Sequence, residues 1–547
     1  MKVFSVAEMV AAEKEASEQG HSYEQMMEQA GRGVAEAIAS EYDVRNKRIL
    51  VLVGPGNNGG DGLVAGHYLA QAGAAVAFYL YKPRTAVDDA NFARLEEQNL
   101  PIFTAEFDQR YRVLRLRLNG CDIVLDALLG TGVSRPIQGE MAQLLRQVRA
   151  GLDERAQIMA QESGLINESG LTHVANTTAV FSSPKPPHPQ VIAVDCPSGL
   201  HCDSGELDPL TLPADLTVTF GGPKRGHFLF PGAGVCGQLI TADIGLNPRH
   251  EKVKNVRVRV ALADDIAAKI PPRPADGHKG TFGRVLIAAG SSQYRGAPLL
   301  SGRGALRAGA GLVAIATPQV VRHTAVCQLP EATYPPLSAV DLLDDTAVDE
   351  LETDAYKAAL VGPGLDNADA FLVRFLTKLS AKNDPALPLV IDADGLNILA
   401  QQEDWPRLLP PHTILTPHPG EMARLLGQPL PQVLAANRFD LALENAAVWG
   451  CVLVLKGAYT IVAAPHKKLG SVATVIPFAT PLLGTAGSGD VLAGVIVTLL
   501  AQGLSPYDAA VVGAYWHGRV GDYLTRKMGN GGALASEIAD ALPYTRP

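Results

Sequence analysis

Paired cysteines and long apolar runs are both missing from this chain. It has six cysteines in 547 residues, and no two of them form a C-x-x-C pair, so neither a structural zinc site nor a disulfide framework is indicated. No run approaches the roughly 20 apolar residues of a membrane span. The N-terminus is charged rather than apolar like a signal peptide. We therefore expect reduced thiols, a cytoplasmic location and no membrane partner.

An excess of positive charge is absent as well. The net charge is −9, which offers no bulk attraction for nucleic acid, so we expect no nucleic-acid partner. What the chain does have is length and apolar content. Its 547 residues are 47% apolar, which is enough for large cores and predicts two or more domains.

The stretch Gly54–Gly62, with the sequence GPGNNGGDG, is the most unusual feature of the first half. It follows an apolar run at 48–53 that predicts a buried strand, and it precedes a helical pattern at 63–70. A glycine-rich turn between strand and helix leaves backbone N–H groups free for an anion, which predicts a phosphate or nucleotide site. Asp61 would then do chemistry, bind a cation or contact a sugar hydroxyl. The alternative is a tight turn with Asp61 as the helix N-cap.

Short apolar strands recur through the first half, with helical stretches between them. This alternation predicts an α/β fold, with a parallel sheet covered by helices on both faces. Ligands bind such sheets beyond the carboxyl ends of the strands, where Asp126 and Asp195 are expected. With Asp61 they suit a cation, ribose hydroxyls or proton transfer, although each alone is commonly a helix cap. The predicted strands are 48–53, 75–80, 122–125, 191–194 and 216–220.

The alternating pattern fails between Gly151 and Pro187. This segment is polar and nearly aperiodic, and it ends in a proline-rich run. We predict a surface insertion that is partly disordered, and we assign it no function.

A second α/β series begins at residue 284, after a charged and proline-rich segment at 246–274 that predicts a linker or an edge strand. We therefore place one domain at 1–250 and another at 251–547. The further predicted strands are 312–317, 358–361, 389–391, 413–415 and 452–455.

The sharpest signal of the second half is GTAGSGD at 484–490, which opens an apolar helix. Free N–H groups at a helix start hold phosphate oxygens, helped by the helix dipole. Asp490 would sit beside the anion, which is unfavourable unless it takes or relays a proton. The alternative is a cap on a helix packed closely against the sheet. His418 and Lys456, at other strand ends, are candidate contacts to ligand and phosphate, or else structural residues.

Three segments of the first half, Gly54–Gly62, Asp126–Gly132 and Asp195–Gly199, resemble the N-terminal domain of bifunctional NAD(P)H-hydrate repair enzymes. In that family the domain is an epimerase, which interconverts the R and S forms of NADH or NADPH that have gained water at the nicotinamide ring. The resemblance implies a Rossmann-like α/β/α sandwich with Asp61 and Asp195 as catalytic residues. It implies a potassium ion held by Asn58, Asp126 and Ser198. The implied substrate contacts are Asn57, Asn58, Gly59, Gly60, Asp61, Gly130, Thr131, Gly132, Val133, Ser134, Arg135, Pro136 and Asp195.

The second half resembles the ribokinase-like superfamily and, more closely, the dehydratase domain of the same repair enzymes. The matching segments are Gly290-Ser291, Tyr294–Pro298, Gly362–Gly364, Thr416–Glu421, Lys456–Ala458 and Gly487–Asp490. The resemblance implies dehydration of the S hydrate with ADP as co-substrate, Mg²⁺ at the nucleotide phosphates and a catalytic Asp490. Ala486 replaces a glycine common in the loop, which matters only if this residue needs positive φ. The implied hydrate contacts are Ala297, Gly364, His418 and Asp490, and the implied nucleotide contacts are Lys456, Gly457, Ala458, Tyr459, Thr460 and Gly489.

The prediction is therefore a two-domain repair enzyme that binds NADHX or NADPHX and an adenine nucleotide and assembles as a homo-oligomer. The alternative is a ribokinase-like small-molecule kinase with a non-catalytic N-terminal interaction domain, like those in an mRNA-decapping scaffold. The intact Asp61, Asp126 and Asp195 argue against that alternative.

Overall fold

The computed structural model describes residues 1–133, 135–162, 188–381 and 386–547. It divides into two compact units, Lys2–Val256 and Arg257–Pro547, with Met1 belonging to the second. Within the described ranges, no helix is long and apolar enough to cross a membrane.

The first unit alternates strands and helices. Its strands are β1 (Lys2–Val3), β2 (Arg48–Val53), β3 (Ala75–Leu80), β4 (Ile102–Thr104), β5 (Ile123–Ala127), β6 (Gln190–Val194), β7 (Leu216–Phe220) and β8 (Gln238–Ala242). Its helices are α1 (Val6–Glu18), α2 (Tyr23–Glu41), α3 (Asn57–Gln71), α4 (Ala90–Glu97), α5 (Arg112–Gly120), α6 (Gly139–Glu162) and α7 (Glu251–Lys254). The sheet has the order β4-β3-β2-β5-β6-β7-β8, and every neighbouring pair is parallel.

Helices cover both faces of this sheet, as predicted. Alternate residues of a strand point to opposite faces, so Ile49 and Val51 of β2 join a core with α2 and α3. Leu50 and Leu52 join a second core with α5 and α6. With both faces buried, a ligand can approach this sheet only at the ends of its strands.

The second unit is built on a mixed sheet. Its strands are β9 (Val258–Val260), β10 (Arg284–Ala288), β11 (Leu312–Ala316), β12 (Ala358–Val361), β13 (Leu389–Ile391), β14 (Thr413–Leu415), β15 (Val452–Leu455), β16 (Ile461–His466) and β17 (Gly470–Val475). They run in the order β9-β17-β16-β15-β14-β13-β12-β10-β11. The pairs from β11 to β15 are parallel, and β16 is antiparallel to both of its neighbours.

One buried helix fixes the position of the glycine loop in the second unit. The helices are α8 (Ala263–Ala267), α9 (Ala297–Arg307), α10 (Gln319–Gln328), α11 (Asp345–Glu350), α12 (Asp369–Ser380), α13 (Asp394–Leu399), α14 (Pro419–Leu426), α15 (Leu430–Ala435), α16 (Arg438–Trp449), α17 (Ser488–Ala501), α18 (Pro506–Met528) and α19 (Ala535–Ala541). A Cβ on Gly494 of α17 would lie 2.2 Å from the carbonyl oxygen of Ser301 in α9. This close packing fixes α17 against α9.

The prediction that a loop spans Gly54–Gly62 is wrong in its second part. Helix α3 begins at Asn57, with Gly56 as its N-cap, so most of the glycines lie in the first two turns. Their purpose is close packing, because a Cβ on Gly59 would lie 2.1 Å from the carbonyl oxygen of Gly54. A Cβ on Gly62 would lie 2.5 Å from the Cβ of Ala127 in β5.

The predicted insertion is also shorter than expected. Helix α6 continues through the first part of it, to Glu162. Arg155 anchors this part because its buried side chain donates a hydrogen bond to the carbonyl oxygen of Cys121, at 3.2 Å. The rest of the insertion, 163–187, lies outside the described residues.

Candidate active sites

A cavity of about 1130 Å³ opens at the carboxyl ends of β2, β5 and β6 in the first unit. The predicted substrate contacts in its wall are Asn57, Asn58, Asp61, Gly130, Thr131, Gly132, Val133, Arg135 and Asp195. Among the described residues, Gly59, Gly60 and Pro136 are not part of the wall, and Ser134 lies outside those residues. The strand-end rule therefore brings the three segments together at one site.

Gly60 leaves room for Met27, which lines this cavity. A Cβ at this position would lie 2.7 Å from the Sδ atom of Met27, whose side chain lines the cavity. Gly59 packs against Gly54 instead. Both glycines let α3 lie close to its neighbours.

Asp195 holds a buried ion pair with Lys224. Its Oδ1 atom accepts hydrogen bonds from the Lys224 Nζ atom, from the Thr219 hydroxyl at 2.9 Å and from the Phe220 N–H at 3.2 Å. Burial alone would raise the pKa of this carboxyl, but Lys224 and these hydrogen bonds hold it below the ordinary value. Asp195 has a φ of 63°, a strained conformation that aims its side chain. At neutral pH it is a carboxylate.

Lys224 is a site residue that the sequence did not reveal. It is 1% exposed, and it also donates hydrogen bonds to the Thr219 hydroxyl and the Phe220 carbonyl. The available signal was its place four residues after the end of β7, at the same edge as Asp61 and Asp195. A lysine this deeply buried needs a charged partner, which Asp195 supplies.

Asp61 lies in the same cavity in a different electrostatic setting. It is 9% exposed, and its carboxyl makes no hydrogen bond to the described residues. Burial raises its pKa well above the ordinary value, and the negative charges of Asp195 and Glu13 raise it further. Asp61 therefore holds its proton more tightly than an ordinary carboxyl does, and it does not cap α3, whose N-cap is Gly56.

Of the three residues predicted to hold potassium, Asn58 lies in the wall of this cavity, and Asp126 and Ser198 are fully buried. Asp126 accepts hydrogen bonds from the Ser198 hydroxyl at 2.7 Å, the Ser198 N–H at 2.9 Å and the Leu128 N–H at 3.2 Å. Asn58 lies against Gly130, and its buried side-chain Nδ2 atom has no hydrogen-bond partner. An amide turned over would present its oxygen there instead. Carboxylate, hydroxyl and amide oxygens suit a hard cation, so the donor set fits.

Asp490 lies in the first turn of α17. The helix begins directly after its N-cap, Gly487, which has a φ of 83°. Burial raises its pKa to about 7, with a further contribution from the charge of Asp392, while Lys456 opposes the shift. A carboxyl with a pKa near the working pH can both accept and return a proton. Ala486 is not among the described residues with positive φ, so its methyl group causes no backbone strain.

Lys456 lies beside Asp490 but is paired with other carboxylates. Its Nζ atom is 2.7 Å from Asp392 Oδ1 and 3.6 Å from Glu421 Oε2. A Cβ on Gly489 would lie 3.3 Å from the same nitrogen, so this glycine leaves room for the lysine. Asp392 and Glu421 were not predicted as site residues. The signal was present, because Asp392 follows β13 directly and Glu421 opens α14 at the end of β14.

His418 caps α14, and its half-exposed side chain places Nε2 3.4 Å from Glu421 Oε1. Its Nδ1 atom accepts hydrogen bonds from the N–H groups of Gly420, at 2.9 Å, and Glu421, at 3.2 Å. Burial lowers its pKa, and Lys456 and Arg424 lower it further. A neutral ring with Nδ1 as acceptor carries its proton on Nε2, so His418 can donate a hydrogen bond there.

The remaining predicted contacts of the second unit form two close sets. Gly364 packs against the start of α9, since a Cβ on it would lie 2.7 Å from Tyr294 Cβ and 3.1 Å from Ala297 Cβ. The loop after β15 is held by Arg438, which donates hydrogen bonds to the carbonyl oxygens of Leu455, at 3.3 Å, and Ala458, at 2.5 Å. The predicted nucleotide contacts in this loop are Lys456, Gly457, Ala458, Tyr459 and Thr460. The sequence did not single out Arg438.

Both halves of the chain match families of known proteins. A model of the NAD(P)H-hydrate dehydratase family matches residues 285–544, and a model described as YjeF-related protein N-terminus matches residues 23–226. The chain is 35% identical over 534 residues to the bifunctional NAD(P)H-hydrate repair enzyme of Moorella thermoacetica, covering 95% of this chain and 91% of that protein. The chain belongs to the family of bifunctional NAD(P)H-hydrate repair enzymes.

Other members of this repair family match over nearly the full length. The enzyme of Thermofilum pendens is 34% identical and covers 99% of this chain and 96% of that protein. Among solved structures, the chain is similar to the ADP/ATP-dependent NAD(P)H-hydrate dehydratase of Bacillus subtilis, co-crystallized with ATP and Mg²⁺. That match has 33% identity and a TM-score of 0.46, and covers 53% of this chain and 97% of the other.

Membership of the repair family confirms the predicted fold class and the two activities. The first unit is a Rossmann-like epimerase, an isomerase, and the second is a ribokinase-like, nucleotide-dependent NAD(P)H-hydrate dehydratase, a lyase. The alternative prediction, a small-molecule kinase with a non-catalytic N-terminal domain, is therefore wrong.

Proposed function

We propose that Asp61 and Asp195 are the acid and the base of the epimerase. Both line the cavity of the first unit, and their surroundings push their pKa values apart. Lys224 keeps Asp195 ionised, whereas burial and neighbouring negative charge keep Asp61 protonated. Such a pair of carboxyl groups can serve as acid and base at the same pH. The opposite directions of the two pKa shifts, in one cavity, are the observation that carries the proposal.

The chemistry follows from the two protonation states. Asp61 gives its proton to the hydroxyl of the hydrated ring, the C–O bond breaks, water leaves, and the ring nitrogen stabilises the positive carbon. Asp195 then takes a proton from a water molecule as that water bonds to the other face of the carbon. The hydroxyl is restored with inverted configuration. Proton transfers of this kind contribute about 10²–10⁴-fold each.

Asn58, Asp126 and Ser198 are proposed to hold the potassium ion. The unpartnered amide of Asn58 and the oxygen-rich surroundings of Asp126 support this assignment. When bound, the ion would supply positive charge that stabilises negatively charged groups of the substrate. Around it, Gly130, Thr131, Gly132, Val133, Ser134, Arg135, Pro136, Asn57, Gly59 and Gly60 are the proposed substrate contacts of the epimerase.

In the dehydratase, Asp490 is proposed to take the proton of the ring hydroxyl. Hydroxide is a poor leaving group, so a nucleotide phosphate next to the hydroxyl is needed to activate it. Lys456 to Thr460 and Gly489 would hold that nucleotide, with ADP as the proposed co-substrate. The hydrate would contact Ala297, Gly364 and His418, and the Nε2–H group of His418 is a suitable donor.

Mg²⁺ is proposed to enter the second site on the nucleotide phosphates. Among the described residues, no three acidic, histidine or cysteine side chains are grouped so that they could hold a metal ion. Mg²⁺ is commonly bound through substrate phosphates with few protein ligands. We therefore expect Mg²⁺ to bind this unit only together with the nucleotide.

The proposed domain limits are 1–250 for the epimerase and 251–547 for the dehydratase. The division between the compact units after Val256 supports a junction in this region. Assembly as a homo-oligomer stays a prediction.

The test separates the two sites with isosteric variants of the full chain. Asp195→Asn should stop conversion of the R hydrate to NADH while the S hydrate is still dehydrated with ADP. Asp490→Asn should stop dehydration while R and S forms still interconvert. Asp153→Asn, on an exposed face of α6, is the control and should change neither activity. Loss of both activities in a folded single variant would refute the assignment.

A further inference from the structure

A third carboxyl group, that of Glu13, lines the epimerase cavity. It comes from helix α1, which precedes residue 23, where the match to the family model of this domain begins. Glu13 is partly buried, and its carboxyl makes no hydrogen bond or ion pair with the described residues. It therefore faces the cavity with its oxygens available.

The segment before α1 is joined directly to the segment that carries Lys224. The N–H of Phe4 donates to the carbonyl oxygen of Pro223 at 2.9 Å, and the N–H of Arg225 donates to the carbonyl oxygen of Phe4 at 3.1 Å. The capping box of Ser5 and Glu8 then starts α1. The position of Glu13 is therefore fixed relative to Lys224 and its partner Asp195.

Glu13 is coupled electrostatically to both proposed catalytic residues. Burial raises its pKa, Lys224 opposes this shift and Asp195 adds to it. The charge of Glu13 in turn raises the pKa of Asp61. His227, next to Lys224, stays neutral because burial lowers its pKa to about 3. The titratable or charged groups around Glu13 are thus Asp61, Asp195, Lys224 and His227. The cavity wall also holds Tyr23, Glu24, Tyr81 and Arg135.

The acid–base reaction leaves the two carboxyl groups in the wrong states for another turnover in the same direction. Asp61 has lost a proton and is ionised, and Asp195 has gained one and is neutral. Asp195 must lose this proton and Asp61 must regain one before the next molecule of the same configuration can react. Asp61 is only 9% exposed, so a proton carrier inside the cavity can serve it better than bulk water.

We propose that Glu13 is the relay that returns this proton. Its carboxylate takes the proton from Asp195 and then passes it to the ionised Asp61, so that no proton is gained or lost overall. The role rests on the proposed functions of Asp61 and Asp195. It adds a third proton-transfer group on a helix outside the matched segment.

The test compares one turnover with many, using pure R hydrate and the full chain carrying Glu13→Gln. With enzyme in excess, the first turnover needs no reset, so its rate should stay within about threefold of the unmodified protein. In the steady state kcat should fall about tenfold or more, within the range of a lost proton-transfer group. Added imidazole or acetate should restore kcat in proportion to its concentration, because a small buffer can carry the proton. Glu13→Asp should keep part of the steady-state rate.

Glu18→Gln is the matched control, since Glu18 lies on the same helix and is exposed. It should change neither rate. The relay is overturned if Glu13→Gln leaves kcat unchanged, or if both rates fall equally with no response to buffer in a protein whose melting temperature is unchanged. The roles of Asp61 and Asp195 are judged separately, by the single-turnover rates of their own asparagine variants.

Discussion

Each unit of this enzyme has an aspartate at the edge of its sheet and a lysine nearby, yet the two aspartates differ in proton affinity. In the first unit Lys224 contacts Asp195 itself and holds it as a carboxylate. In the second unit Lys456 contacts Asp392 instead, and burial together with the charge of Asp392 raises the pKa of Asp490 to about 7. The proton affinity of Asp195 and of Asp490 therefore depends on whether the lysine pairs with that aspartate, rather than on the position of the aspartate in the fold.

This difference suits the two reactions. In the proposed mechanism, epimerisation needs an acid and a base together, and the first site would obtain them by pairing one carboxyl with Lys224 and leaving Asp61 unpaired. The proposed dehydration needs one group that takes a proton beside a nucleotide phosphate, and a pKa near 7 would let Asp490 do so reversibly.

Lys224→Met should produce the largest effect, because it leaves Asp195 buried without its partner. Removing one member of a buried ion pair costs about 3–5 kcal/mol of the free energy of unfolding. The pKa of Asp195 should then rise, and epimerisation should fall by roughly 10²-fold or more. Chemical denaturation of the first unit and the rate of R to S conversion measure the two effects.

The dehydratase provides the control for this variant. Dehydration of the S hydrate should proceed at the unmodified rate, because Lys224 belongs to the other unit. Epimerisation that persists in a folded Lys224→Met protein would show that the ion pair does not set the state of Asp195.

Asp490→Asn should stabilise the second unit, in contrast to Lys224→Met. The folded pKa of Asp490, about 7, lies above its ordinary value of 3.8, so the folded state binds the proton more tightly. The free energy of unfolding therefore falls as the pH rises from about 4 to about 7. A shift of about three units corresponds to about 4 kcal/mol, so asparagine, which carries no charge, should stabilise the unit by up to about 4 kcal/mol at pH 8 and hardly at all at pH 4. Denaturant titrations of both proteins at the two pH values measure it, and equal differences at both would refute the shifted pKa.

Asp392→Asn should lower the pKa of Asp490, which would make it more like the pKa of Asp195. It removes the negative charge that most raises the pKa of Asp490, and it frees Lys456 from its closest partner. The acidic limb of the pH profile of kcat for dehydration should shift down by about one unit, equivalent to about 1.4 kcal/mol. An unshifted limb would mean that another group titrates, and epimerisation is the internal control.

Ala486→Gly should have the smallest effect. Ala486 does not adopt positive φ, so restoring the glycine common in the family relieves no strain. We expect a loss of less than about 1 kcal/mol from added backbone freedom and an unchanged KM for ADP. A large fall in KM would show that the methyl group obstructs the nucleotide.

Much of the fold could be predicted from periodicity alone. The strands at 48–53, 75–80, 216–220, 358–361, 389–391, 413–415 and 452–455 have the predicted bounds. Local patterns determined these features, so a single sequence was sufficient to find them.

The start of α3 and the role of Lys224 could not be predicted in the same way. Glycines at 59, 60 and 62 favour a loop by local propensity, but tertiary packing against Gly54, Met27 and Ala127 makes them part of a helix. Lys224 and Asp195 are far apart in the sequence and meet only through the order of β6 and β7. Ion pairs between strand ends depend on that order, which the local pattern does not contain.

The central claim is that Asp61 is protonated and Asp195 is ionised in the same cavity at neutral pH. Infrared difference spectra between the unmodified protein and each asparagine variant test it most directly. Asp61→Asn should remove a carbonyl band of a protonated carboxylic acid, and Asp195→Asn should remove a carboxylate band. Loss of a carboxylate band from Asp61→Asn would contradict the account.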